Sequence, residues 1–276
     1  MITSFTPSRR SLLTGAGALT LAACTPNQTA MGHSRKVGIQ LYTVRAAMAQ
    51  DLPGTLRRIR GIGYDEVEFA GYFNTPPADI KRLLDDIGLA APSAHVPAAQ
   101  MRDAPGPLIE TAHAMGHEYL VMPWLPPEAR TTLDQWRGWA EVCNRFAAQC
   151  RDAGLKFAYH NHDFEFQPID GVLPYDVLLQ NTDPQLVHFE TDIYWLKKGG
   201  RDLLPFLNQH KARVTMCHAK DWRPDGSMTD VGQGQIDFAA IFAQIPFEHY
   251  FVENDDTTTP FESAQTSYTA MRRLLA

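Results

Sequence analysis

From Val37 onward, short apolar runs alternate with stretches of helical periodicity. The runs are Val37–Tyr42, Asp65–Ala70, Pro92–Val96, Tyr119–Met122, Phe157–His160, Val187–Asp192, Val214–Lys220 and His249–Glu253. Each is too short for a helix and is flanked by turn residues. The intervening patterns predict helices over Leu52–Ile62, Pro77–Ile87, Leu108–Met115, Thr132–Ala153, Tyr175–Gln180, Asp202–Gln209, Ile236–Ala243 and Phe261–Leu275. Pro77 stands in a first turn, and Gly88, Gly116 and Gly154 stand just past helix ends, where a residue without a side chain stops a helix cheaply. Eight strand–helix units in strict alternation argue for parallel βα pairing. The expected fold is α/β: a single (β/α)8 barrel over residues 36–276.

In such a barrel the chemistry sits at the C-terminal ends of the strands. Four neighbouring strands end in polar residues: His160-Asn161-His162, Glu190-Thr191-Asp192, His218-Ala219-Lys220-Asp221 and Glu253-Asn254-Asp255-Asp256. Strand side chains alternate, so His160 and His162 share a face and Asn161 takes the other. Two imidazoles and two carboxylates from adjacent tips suit one divalent ion such as Mn²⁺, Zn²⁺, Co²⁺ or Mg²⁺. The expected metal ligands are His160, Asp192, His218 and Glu253, with His162 or Glu165 as substitutes for His160.

The first residues change the picture of where this barrel works. Ser8-Arg9-Arg10-Ser11-Leu12-Leu13 opens an uncharged, Gly- and Ala-rich run that ends at Leu21-Ala22-Ala23-Cys24. This pattern is a twin-arginine export signal followed by a lipoprotein cleavage site. The expected division is a signal peptide over 1–23, a lipid-anchored Cys24 opening a polar tether over 24–35, and then the barrel. The expected location is periplasmic or cell-surface. The route carries folded proteins, which favours a cofactor bound before export. Without residues 1–23 the chain keeps 253 residues, and loss of Arg9 and Arg10 takes the net charge from −6 to −8. An acidic surface is a poor partner for a phosphate backbone, so no nucleic-acid partner is expected. Cys143 and Cys150 lie two helical turns apart, about 10 Å, too far for a disulfide. Cys217 lies inside a strand, and no disulfide is expected.

Gln40, Tyr42, Glu68 and His95, from the first three strands, and Trp195 are the expected substrate contacts, with Trp124 on the same face. Polar donors with a few aromatic walls suit a small carbohydrate. Lys220 lies two residues past His218 and faces the same cavity. Near a cation it is a candidate base or a donor to an enolate oxygen; paired with Asp221 or Glu253 it would be structural. His162 has the better intrinsic proton affinity for shuttling, and Glu253 completes the expected catalytic group. The segment Asp230–Asp237, with Gly232 and Gly234 before a helix, could cradle a phosphate but lacks the Lys and Ser/Thr of a P-loop. It reads as a tight loop at the active site.

Taken together, Gly38–Arg45, Tyr159–Phe166, Phe189–Trp195, His218–Asp221, Gly232–Asp237 and Val252–Asp255 resemble the xylose isomerase-like barrel superfamily, the sugar phosphate isomerase/epimerase group. The resemblance implies a (β/α)8 barrel holding one divalent metal, with Asp192, His218 and Glu253 as ligands. Ketose epimerases of this group use glutamates on strands five and eight as an acid/base pair; here His160 stands at the fifth-strand position. The expected activity is isomerisation or epimerisation of an unphosphorylated sugar or keto-sugar through an enediolate. The alternatives are a lyase or dehydratase of 3-keto-glycosides using the same proton abstraction, and a non-catalytic sugar-binding lipoprotein. The superfamily's endonuclease branch is disfavoured by the acidic charge.

Overall fold

The computed structural model describes residues 35–276. The expected export signal, Cys24 and all but the last residue of the tether fall outside the described residues. Eight parallel strands close a barrel in sequence order: β1 (Gly38–Gln40), β2 (Glu66–Phe69), β3 (Ala90–His95), β4 (Tyr119–Met122), β5 (Lys156–His160), β6 (Val187–Asp192), β7 (Val214–Ala219) and β8 (His249–Val252). Each pairs with its neighbours, and β1 closes the ring against β8. The main helices outside are α1 (Leu52–Ile62), α2 (Pro77–Ile87), α3 (Pro105–Met115), α4 (Leu133–Asp152), α5 (Pro174–Asn181), α6 (Leu203–His210), α7 (Phe238–Gln244) and α8 (Pro260–Leu274). The (β/α)8 architecture is as expected from the alternating pattern.

The additions are short and lie beside the strand tips. Helical turns cover Arg45–Gln50, Ala98–Asp103 and Ile193–Lys198, and Asp221–Trp222 pairs antiparallel with Met228–Thr229. Asp192 caps the Ile193–Lys198 turn, its side chain accepting from the Trp195 amide at 2.9 Å. Such pieces are too short for periodicity to register, because one turn of helix shows no repeat. No helix among the described residues is long and apolar enough to cross a membrane.

Strand alternation sorts the apolar residues into two cores. Side chains such as Ile39, Val67, Leu120, Phe157, Phe189, Cys217 and Val252 point outward and pack under the helices. Tyr119, Val121, Ala158, Met216 and Phe251 point inward and plug the barrel below its mouth. The same inward-facing rows then turn polar toward the C-terminal ends, at His160, Glu190, Asp192 and His218. Cys143, Cys150 and Cys217 are buried free thiols, as the spacing implied.

Gly38 shows how tightly the plug is filled. A Cβ there would lie 2.4 Å from Cδ1 of Phe251 and 3.1 Å from the Tyr250 carbonyl oxygen. Phe251 is fully buried and has nowhere to move. Overpacking of a closed core costs about 1–3 kcal/mol. Gly38→Ala is therefore expected to lower the thermal midpoint by roughly 2–4 °C per kcal/mol lost, measured by circular dichroism melting. An unchanged melt would show that the plug yields freely.

Candidate metal centre and cavity

The mouth of the barrel holds an unusual number of buried charges. Glu68, Glu190, Asp192, His218 and Lys220 are all at most 1% exposed, and His160 and Glu253 are buried beside them. Strand register assembles them. Asp192 of β6 is the pairing partner of His218 of β7, and His160 of β5 is the partner of Glu190 of β6. Thr215 of β7 is an extra residue between the pairs Phe189–Val214 and Glu190–Met216, which sets the register that brings Asp192 opposite His218. Asn161 locks β5 to β6: its Oδ1 accepts from the Asp192 amide at 3.1 Å, and its Nδ2 donates to the Asp192 carbonyl at 3.3 Å.

The four expected metal ligands converge. One donor atom each from His160, Asp192, His218 and Glu253 lies within 4.8 Å of the others. His160 Nε2 lies 3.5 Å from Asp192 Oδ2, and His218 Nδ1 lies 2.8 Å from Glu253 Oε2. His160 Nε2 and Asp192 Oδ2 are buried without a well-formed hydrogen bond. Buried polar atoms normally have partners; Asp192 Oδ2 has the Lys220 ammonium at 3.0 Å, while His160 Nε2 makes no hydrogen bond, which leaves that imidazole nitrogen available to a ligand. Two imidazoles with two carboxylates fit a divalent ion such as zinc or manganese. His160 Nδ1 lies 3.3 Å from the Pro123 carbonyl, which turns Nε2 toward the site.

Lys220 Nζ stands within 3.0 Å of Asp192 Oδ2 and 2.7 Å of Glu253 Oε2 and Asp255 Oδ2. Burial alone would strip its proton, but Asp192, Glu253 and Asp255 outweigh that and hold its pKa well above the ordinary lysine value. Of the roles considered for Lys220, this environment supports the donor and opposes the base. Its partners include Glu253, as considered, but not Asp221. That carboxylate instead turns into the 232–236 loop, where it accepts from the amides of Gly232, Gly234 and Ile236. A Cβ on Gly234 would lie 2.3 Å from Asp221 Oδ1, so only glycine lets the loop close this far. The amides that could have cradled a phosphate are thus spent on Asp221.

His162 keeps a buried Nδ1 with no partner. Its ring stacks on Phe164 at 5.3 Å and leans on Trp195 at 5.4 Å. Burial, with His160 and Lys220 nearby, holds its pKa well below the ordinary value, so the imidazole is neutral.

Above this floor opens a cavity of about 550 Å³. His95, His160, His162, Lys220, Glu253 and Asp255 form its polar side, and Tyr42, Val96, Pro97, Pro123 and Trp124 its apolar side. Tyr42 and Trp124 stand exposed on the rim. Of the five expected substrate contacts, Tyr42 and His95 reach the cavity. Gln40, Glu68 and Trp195 do not. Gln40 and Glu68 are fully buried below it, where Gln40 Nε2 donates to Glu68 Oε2 at 2.7 Å and Ser93 Oγ donates to Oε1. Trp195 lies behind His162 and acts as its backing. Alternation puts Glu68 on the inner face of the barrel, but pattern alone does not give its depth.

Three further residues belong to the region. Glu190 lies within 3.2 Å of His218 Nε2 and 2.8 Å of His95 Nε2. Asp255 lines the cavity, and burial together with Glu253 raises its pKa to about 7. Glu165 is not a ligand: it accepts from the Tyr159 hydroxyl and from the His162 amide, both at 2.8 Å. Acidic residues at strand tips were the only signal for Glu190 and Asp255.

The fold and site together define a (β/α)8 barrel with a charged cavity at the C-terminal ends of its strands. Residues 56–252 match the xylose isomerase-like TIM barrel family, and the chain belongs to it. The inosose dehydratase of Geobacillus kaustophilus is 25% identical over 244 residues, covering 71% of this chain and 79% of that protein. The inosose dehydratase of Salmonella typhimurium is 31% identical over 137 residues, covering 42% of this chain and 44% of that protein. Among solved structures, a sugar phosphate isomerase/epimerase from Parabacteroides distasonis superposes with a TM-score of 0.77 at 25% identity, over 90% of this chain and 98% of that one. The IOLI protein with a bound zinc atom superposes with a TM-score of 0.69 at 15% identity, over 87% of this chain and 98% of that one, which shows the shared fold.

Glu165 gives this region a pH signature. Its carboxyl is fully buried, and burial raises its pKa from 4.5 to about 8. The folded chain therefore holds a proton that the unfolded chain has released. This contribution to stability is complete below about 4.5 and is lost as pH rises to about 8. Glu165→Gln is expected to remove that loss: the difference between variant and parent in urea midpoint should move in the variant's favour across this range. A difference that does not change with pH would refute it.

Proposed function

We propose that the chain is a divalent-metal-dependent enzyme that enolises a small polyhydroxylated carbonyl compound, a keto-sugar or an inosose-like ring, and completes turnover by eliminating water or an alcohol. One juxtaposition carries this reading. A neutral imidazole (His162) and an ammonium held by carboxylates (Lys220) line the same cavity as His160 and Glu253 of the His160, Asp192, His218 and Glu253 set. Family membership and the inosose dehydratases among the relatives support it. Those four residues would hold the metal, which when bound supplies positive charge that polarises a carbonyl.

The residues of the chain divide the remaining work. The His162 imidazole accepts the proton from the carbon next to the carbonyl, with Phe164 and Trp195 fixing its ring. Lys220 donates a hydrogen bond to the oxygen on which negative charge develops. The C–O bond at the next carbon then breaks, and the proton on His162 passes to the departing oxygen, so that water or an alcohol leaves and the imidazole ends neutral. Tyr42 and Trp124 offer flat faces to the ring or its substituent.

Isomerisation or epimerisation would use the same first step and return the proton to carbon. The likeness to the Parabacteroides structure supports this second reading. Against it, epimerisation needs a proton acceptor on each face of the enediolate, and the fifth-strand carboxylate that would oppose Glu253 is replaced by His160.

Proton NMR in D₂O separates the two. The metal-loaded protein is mixed with a 3-keto-glucoside, with an inosose and with free ketoses. An unsaturated carbonyl product, with release of water or aglycone, is the expected result. A deuterated epimer or aldose without elimination would establish the second reading, and no conversion with tight sugar binding would overturn both. His162→Asn and Lys220→Met are each expected to slow conversion by about 10²–10⁴-fold.

We also propose that the protein is exported by the twin-arginine route and anchored through a lipidated Cys24, as the Arg9-Arg10 and Leu21–Cys24 patterns support. Cys24→Ala is expected to move the protein from the membrane fraction to the soluble fraction; unchanged membrane retention would contradict the anchor.

A further inference from the structure

Beside the upper set (His160, Asp192, His218 and Glu253) lies a second group of side chains able to hold a metal, which shares only His218 with it. Single donor atoms of Glu68, His95, Glu190 and His218 lie within 4.8 Å of one another. The pairs are tighter than that limit. His218 Nε2 is 2.7 Å from Glu68 Oε2 and 3.2 Å from Glu190 Oε2, and His95 Nε2 is 2.8 Å from Glu190 Oε2 and 3.3 Å from Glu68 Oε2. Each imidazole nitrogen thus faces both carboxylates, so the four atoms make a closed ring around one point. Donors about 2.0–2.1 Å from a zinc ion stand roughly 3.3–3.4 Å apart in a tetrahedron; the 3.2 and 3.3 Å pairs match this, and the 2.7 and 2.8 Å hydrogen-bonded pairs would open slightly around an ion.

Charge favours a cation here. Among the described residues the Lys220 ammonium lies against Asp192 and Glu253 in the upper set, and no lysine or arginine pairs with Glu68 or Glu190. Those two carboxylates are paired with His95 and His218 alone. Buried carboxylates need close positive partners, and a bound cation would supply one here. Glu190 contributes Oε2 to the set and has a second oxygen to spare. It is fully buried, and its Oε1 has no hydrogen-bond partner. Gln40 and Ser93 meanwhile hold Glu68 so that Oε2 faces the histidines.

We propose that Glu68, His95, Glu190 and His218 form a second divalent-cation site, with His218 presenting Nε2 to it; when the upper set is filled through Nδ1 as well, His218 releases its N–H proton to solvent and bridges as an imidazolate. Two carboxylates and two imidazoles in a closed four-donor arrangement suit zinc. An ion enters past His95, which borders the cavity and is the one member of the set not fully buried. The site rests on the reading of the upper set as a metal centre only in that the two share His218. Its role is to fix His95 and His218 and to place positive charge below the reacting groups.

The test uses the full chain, stripped with chelator and reloaded with Zn²⁺. Zinc per chain is measured by mass spectrometry, and the ions are located by anomalous scattering at the zinc edge. A peak among Glu68, His95, Glu190 and His218, with Glu190→Gln losing one equivalent while retaining the parent's circular dichroism spectrum, is the expected result. His95→Gln serves as the second variant and is expected to lose the same ion. An empty lower set in zinc-loaded crystals, or Glu190→Gln and His95→Gln that both keep the parent's stoichiometry, would overturn the proposal. A lower peak without an upper one would support this site and count against the upper centre, so the two readings fail separately.

Discussion

Compensation of buried negative charge at the barrel mouth is the constraint on which the rest of the structure depends. Glu68, Glu190, Asp192 and Glu253 are all taken out of water within reach of His218 and Lys220. Such charges are tolerated only with close partners. His218 answers on both of its nitrogens, and Lys220 reaches three carboxylates. Burial and these neighbours pull in opposite directions on Glu253 and His218. The outcome is a lowered Glu253 and a raised His218, each against the burial that would push it the other way. Unbonded atoms on His160 and Glu190 leave room for further positive charge.

The rest of the barrel serves this arrangement. The apolar plug of Tyr119, Val121, Ala158, Met216 and Phe251 closes the barrel beneath the charged layer and keeps its dielectric low. Asn161 ties two strand tips, and Asp221 gathers the 232–236 loop beside them. Tyr42 and Trp124 stay at the rim, where a ring can lie against them. Precision comes from strands, and accommodation of the substrate from the loops around them.

Much of this was legible in the chain. The eight apolar runs gave the barrel because a two-residue alternation and a helical repeat do not mimic each other over such lengths. His160, Asp192, His218 and Glu253 were found because each ends an apolar strand, and parallel pairing makes neighbouring ends converge. Depth was not legible. Gln40 and Glu68 looked like substrate contacts because alternation tells inside from outside but not floor from cellar. Trp195 was misplaced because the chain turns helical immediately after Asp192, which swings the indole behind His162. The state of Lys220 was open for a related reason: it depends on Asp192, Glu253 and Asp255 together, and those meet only across strands.

The central claim is that this site removes a proton from carbon next to a carbonyl. The most direct test is deuterium exchange with an analogue of the keto-sugar that lacks the leaving group, so that nothing but enolisation is possible. In D₂O the metal-loaded protein is expected to place deuterium at the carbon beside the carbonyl, and Asp192→Asn to lose that exchange. An analogue that binds but never exchanges would contradict the account.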